Sequence, residues 1–220
     1  MISMDFEQAR FNMIEQQIRT WDVLDQDVLD LLYVVPREEF VPGTYRSLAF
    51  TDMEIPIGEG EKMWAPKLEA RVVQELAVKK SDRVLEAGTG SGYLCALLAH
   101  RAAHIYSLEI KPALAAFGRQ NVERHGLDNV TLALGDAARG DSRLAPYDVI
   151  VLTGSTPLVP QPLLDQLAPG GRLFAVVGDA PVMSARIITC VAPGAFHTAE
   201  LFETLIAPLA NAAHPSRFKF

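Results

Sequence analysis

Val84-Leu85-Glu86-Ala87-Gly88-Thr89-Gly90-Ser91-Gly92-Tyr93 reads as a buried strand running straight into a glycine-rich turn and then a helix. Glycines at 88, 90 and 92 remove side chains where the backbone must turn sharply and approach a ligand. The turn falls at the carboxyl edge of the strand, where parallel sheets bind their ligands. A dinucleotide fingerprint would carry Gly or Ala three places after Gly90; Tyr93 stands there, which argues against NAD.

Outward from this stretch, short β-rich runs at 83–87, 104–108, 130–134, 148–152 and 172–177 alternate with helical patterns at 93–101, 112–125 and 160–167. Strands separated by single helices imply right-handed crossovers, which predicts an α/β fold with a doubly wound, mostly parallel sheet covered on both faces. Runs at 186–191 and 200–206 add two late strands, with an antiparallel hairpin among them. Towards the N-terminus, apolar spacing predicts two helices within 6–33, broken near Thr20 to Asp22. Pro36 and Pro42 stop regular structure, 52–66 reads as an ordered loop with tight turns, and helix returns at 67–78. The expected division is a helical and substrate-loop region at 1–78 and a ligand-binding α/β region at 79–220, together one compact unit.

The chain has 220 residues, 49% of them hydrophobic and 21% charged, the balance of a globular domain with a full core. Twenty Lys and Arg against 27 Asp and Glu leave a formal net charge of −7, which argues against a nucleic-acid partner. Cys95 and Cys190 share no metal-ligand spacing and read as reduced structural thiols of a cytoplasmic protein. The five His show no ligand pattern and read as structural or surface groups, so no metal is expected. The start of the chain has no secretory apolar core, and no apolar run reaches the roughly 18 residues needed to span a bilayer. A soluble chain with no membrane partner is expected.

Three acids narrow the ligand. Glu86 precedes the first glycine; Glu109 ends the next strand, about 20 residues on, where a carboxylate accepts ribose hydroxyls; Asp136 follows Gly135 after the third strand, placed for an adenine amino group. A glycine loop and an acid at each successive strand end form the constellation of an S-adenosylmethionine site in a Rossmann-like fold of the class I methyltransferase type. Methyl transfer suits such a site, because donor and nucleophile need only be held in line and kept dry.

The sequence also resembles the protein-L-isoaspartyl O-methyltransferases along nearly its whole length. Val35-Pro36-Arg37-Glu38-Glu39-Phe40-Val41-Pro42 is similar to that family's V-P-R-x-x-F-V-P, and Ala49-Phe50-Thr51-Asp52 with Ile55-Pro56-Ile57-Gly58 to its A-Y-x-D-x-x-L-P-I-G. Glu86 to Tyr93 resembles E-I-G-T-G-S-G-Y, Tyr106-Ser107-Leu108-Glu109 resembles Y-S-I-E, and the run from Gln166 to Leu173 resembles Q-L-K-x-G-G-R-L. Membership implies methylation of the free carboxyl of isoaspartyl residues in damaged proteins, with a protein or peptide as partner. Beside Glu86, Gly88, Gly90, Gly92, Glu109 and Asp136, it implies cofactor contacts at Thr89, Ser91, Ile110, Gly135, Ala137 and Thr153. Substrate contacts are implied at Ile57, Gly58, Met63, Val177 and Gly178. The loop departs from the family: Lys62 and Trp64 stand where it carries Thr and Ser, and are the candidate catalytic positions. Lys62 brings a cation able to hold a carboxylate and Trp64 an indole able to attract a sulfonium. Two further readings follow from this departure: a methyltransferase for another acceptor, and a non-catalytic S-adenosylmethionine-binding module.

Overall fold

A computed structural model describes residues 5–214. Helix α1 (Phe6–Met13) starts on Asp5, whose carboxylate accepts the Gln8 N–H, and continues through a wider turn at Ile14–Ile18 and a tighter one at Arg19–Trp21. It ends at Asp22, which takes a left-handed φ of 60°, within the break expected from the sequence. Asp25 caps α2 (Gln26–Val34) in the same way as Asp5 caps α1.

The stretch expected as a loop holds a small hairpin, β1 (Ile55–Gly58) against β2 (Glu61–Met63). Glu59 and Gly60 join them with φ of 53° and 78°, the positive values that a tight type I′ turn demands at both positions. Strands this short, interrupted by Pro56, carry too little alternation to be read from sequence. Helix α3 (Pro66–Leu76) follows, with proline at its first turn.

Then come β3 (Arg83–Ala87), α4 (Tyr93–Ala99), β4 (His104–Glu109), α5 (Pro112–Arg124), β5 (Val130–Leu134), β6 (Tyr147–Leu152), α6 (Gln161–Leu164), β7 (Leu167–Asp179), β8 (Val182–Ala192) and β9 (Ala195–Glu203). The sheet order is β5-β4-β3-β6-β7-β8-β9; the pairs from β5 to β7 are parallel, and β7-β8-β9 is an antiparallel meander. This is a seven-stranded, Rossmann-like doubly wound sheet, mostly parallel, with the late antiparallel strands expected. The helix expected over 160–167 shrinks to the single turn α6, because Tyr147 N–H donates to Gln166 O at 2.8 Å and draws Leu167 into β7.

Period-two alternation gives the sheet two buried faces. Val84, Val149, Val151 and Phe174 join one apolar cluster, while Leu85, Ile150, Leu152 and Leu173 join another. Ile14, Leu32 and Trp64 belong to the first cluster, so the N-terminal helices and the hairpin exit pack onto the sheet. Arg37, 1% exposed, ties these parts together: it pairs with Glu69 of α3, donates to Ala49 O at 2.9 Å and to Trp64 O, and lies 5.2 Å from the Tyr93 ring centre. Among the described residues no helix is long and apolar enough to cross a membrane, and no group of three His, Cys, Asp or Glu could hold a metal ion.

Candidate active site

The chain runs outward from β3 to β5 on one side and returns to β6 on the other, leaving a crevice at the carboxyl ends where the order reverses. A cavity occupies that crevice. Its floor comes from the loops after β3 (Gly88 to Ser91), β4 (Leu108 to Lys111), β5 (Asp136 to Ala138) and β6 (Thr153, Gly154). The hairpin residues Ile57, Met63 and Trp64 cover one side and residues 207–210 the other. The latter segment lies tight on the β6 loop: Leu209 N–H donates to Ser155 O at 2.8 Å, and a Cβ on Gly154 would sit 2.6 Å from Leu209 N.

Two glycines of the loop stand at positive φ, and space demands the first. Gly88 has φ of 102°, and a Cβ there would lie 2.1 Å from Thr153 Oγ1, which hydrogen-bonds to Ala87 O at 2.8 Å. Gly90 has φ of 52° beneath Ile57, whose Cδ1 would be 3.2 Å from an added Cβ. Gly92 has another task. It caps α4 away from the cavity, and its missing side chain lets α4 meet α5, with Gly118 O at 3.0 Å from the Cβ position.

The carboxylates are held by backbone and hydroxyl donors. Glu109, 6% exposed, accepts N–H groups from Gly90 at 2.9 Å and Lys111 at 3.0 Å. Asp136 accepts from Ala138 N–H at 2.9 Å and from the Asn211 side-chain amide at 3.0 Å. Glu86 is fully buried on a core face. Ser107, its register partner on β4, donates to Oε2, while the Thr89 hydroxyl holds Ser107 at 2.6 Å. Burial pushes the Glu86 carboxyl up to about 8; the Ser107 and Cys95 contacts oppose this, and Glu109 adds to it. Its Oε1 finds no hydrogen-bond partner among the described residues. Burial, with Glu86 beside it, pushes the Cys95 thiol well up, so it is an inert packing group.

At the mouth, Lys62 is 55% exposed and pairs with Glu54 at 3.3 Å. Trp64 is buried, its ring edge-on to Phe174 with centres 6.5 Å apart. Lys111 straps the hairpin down by donating to Glu59 O at 2.7 Å and pairing with Glu61. Thr89, Ser91, Ile110 and Ala137 line the cavity. Gly135 faces a neighbouring open cleft. Gly58 sits at the hairpin turn, Gly178 in a groove adjoining the mouth, and Val177 in a further groove beside it. His125 stacks on Phe40 with ring centres 4.6 Å apart, and His104 bonds the Thr131 hydroxyl at 2.8 Å, both away from the cavity. Sequence reasoning missed Glu54, Lys111, Ser107 as the partner of Glu86, and Asn211. Only Lys111 carried a signal, two places after Glu109 at a strand end.

The family model for protein-L-isoaspartate(D-aspartate) O-methyltransferase (PCMT) matches residues 8–212. The chain belongs to this methyltransferase family. The protein-L-isoaspartate O-methyltransferase of Methanoculleus marisnigri is 44% identical over 169 residues, 77% of each chain. That of Hyperthermus butylicus is 36% identical over 215 residues, 93% of this chain and 89% of its own. Among solved structures, a Plasmodium falciparum beta-aspartate methyltransferase (PCMT) in complex with S-adenosyl-L-homocysteine superposes with a TM-score of 0.80, covering 94% of this chain and 99% of its own. At 20% identity that likeness shows the fold of the methyltransferase alone.

Proposed function

We infer that this S-adenosylmethionine-dependent methyltransferase esterifies the free carboxyl of isoaspartyl residues in damaged proteins. The family match over residues 8–212 carries the reading. The readings as a methyltransferase for another acceptor and as a non-catalytic module rest on the Lys62 and Trp64 departure alone, and the family match does not favour them.

The cavity suits S-adenosylmethionine on two counts. Gly88 and Gly90 line it with bare backbone at positive φ, and among the described residues Glu86 keeps an unpartnered buried oxygen at its wall. We assign Glu109 to the ribose hydroxyls, Asp136 to the adenine amino group and the free Glu86 oxygen to the ammonium. Thr89, Ser91, Ile110, Ala137 and Thr153 complete the wall, with Ile57 and Met63 above. When bound, S-adenosylmethionine supplies a methyl group on a sulfonium, open to in-line attack by a carboxylate oxygen. An isoaspartyl carboxyl group is ionised at neutral pH, so the nucleophile needs no general base. The protein's work is to position, desolvate and hold charge. Two buried free cysteines suit a reducing compartment, and we place the enzyme in the cytoplasm.

The test is transfer of labelled methyl from S-adenosylmethionine to an isoaspartyl peptide. The expected product releases labelled methanol under mild base, as a carboxyl ester does. Label that resists base, or no label on a folded protein, refutes the reading.

A further inference from the structure

The cavity opens beside a second hollow, a groove between the hairpin, the β7 to β8 turn and residues 205–208. Glu54, Lys62, Ala207 and Pro208 line both spaces, so they mark the threshold between the cofactor cavity and the groove. Much of the charge around this threshold is acidic: Glu54, Glu61 and Asp179 line one space or the other. A carboxylate acceptor arriving there meets repulsion unless a cation receives it. Two lysines line these walls among the described residues. Lys111 is committed, strapped to Glu59 O and Glu61. Among the described residues Lys62 makes one polar contact, the 3.3 Å pair with Glu54, and a lysine ammonium carries three donors.

We propose that Lys62 is the anchor for the acceptor carboxylate at this threshold, and that Glu54 is the partner it holds until the acceptor displaces it. The proposal rests on the carboxyl-acceptor reading above and names the residue that would confer it. One carboxylate oxygen takes the Lys62 ammonium while the other forms the new bond to the methyl carbon. The bond from that carbon to the sulfonium sulfur breaks with its electron pair staying on sulfur, leaving a thioether and an uncharged ester. The product has lost the charge that Lys62 held, so Lys62 returns to Glu54 and the ester leaves. Glu54 thus weakens acceptor binding while favouring release.

The test is steady-state kinetics on an isoaspartyl peptide with wild type, Lys62→Gln, Lys62→Arg and Glu54→Gln, beside S-adenosylhomocysteine affinity by calorimetry. For a half-exposed charged contact, Lys62→Gln should raise KM about 2- to 5-fold, with kcat changed by less than about 2-fold. Lys62→Arg should restore most of the affinity. Glu54→Gln should lower KM about 2- to 3-fold, since it removes the competitor. A hairpin strut predicts otherwise: both neutral variants would shift KM the same way and weaken S-adenosylhomocysteine together. KM should rise with salt in wild type and much less in Lys62→Gln. If wild type transfers methyl but Lys62→Gln keeps its KM, loses kcat alone, or moves with Glu54→Gln, the anchor is overturned and the acceptor reading stands. If wild type transfers none, the acceptor reading falls, and the anchor with it.

Discussion

Replacing Glu86 by Gln tests how the buried carboxyl is paid for in stability. The side chain lies on a core face with 0% exposure, and burial moves it from 4.5 to about 8. The folded protein therefore binds this proton more tightly than the unfolded chain. Stability is greatest below the ordinary carboxylate range and falls as pH rises from about 4.5 through 8. At about 1.4 kcal/mol per pH unit, wild type should lose on the order of 3–4 kcal/mol between pH 5 and pH 8 through this group alone. Gln keeps the shape and the acceptor for Ser107 but cannot ionise, so Glu86→Gln should lack this component. Urea unfolding of both proteins at pH 5, 6, 7 and 8 measures it, with the difference between the two curves cancelling every other titrating group. The variant should gain on wild type steadily as pH rises. Two curves that stay parallel within about 0.5 kcal/mol would refute the reasoning, because that is the usual error of additivity.

Gly90→Val places a β-branched side chain at φ of 52° beneath Ile57 and beside the cavity. S-adenosylhomocysteine affinity should fall by roughly 100-fold in calorimetry, while backbone strain of about 2 kcal/mol lowers the melting temperature by only roughly 4–8 °C; unchanged affinity would contradict the placement of the cofactor. Arg37→Met leaves Glu69 buried without its cation and should cost about 3–5 kcal/mol in denaturant unfolding. Adding Glu69→Leu should recover part of that loss. Trp64→Ser empties space against Phe174 and should destabilise by about 3–5 kcal/mol in the same assay.

The central sheet was legible because its residues answer to local rules. The sequence bounds of Arg83–Ala87 and Val130–Leu134 coincide with the observed strands, since apolar β-formers there end abruptly in glycine or polar turns. The glycine loop and the carboxylates at 86, 109 and 136 could be read as one set because parallel topology brings successive strand ends together. The rest depended on long-range contacts. Gly92 reads in the sequence as a ligand glycine; in the structure its missing side chain lets α4 approach Gly118 of α5, a contact that its sequence neighbours do not announce. The Glu54 partner of Lys62 lies eight residues back across a hairpin whose strands are too short to show a period. Asn211 reaches Asp136 from 75 residues away, after the whole antiparallel meander. Part of the C-terminal tail, including Arg217 and Lys219, lies outside the described residues.

The most direct measurement is methyl transfer to two peptides of identical sequence that differ only in one isoaspartyl against one normal aspartyl linkage. The account predicts labelling of the isoaspartyl peptide, as a base-labile ester, with kcat/KM at least about 100-fold above its twin, the discrimination expected when the wrong isomer leaves site groups unpaired. Equal labelling of both peptides, or of neither by a protein that binds S-adenosylhomocysteine, would contradict it.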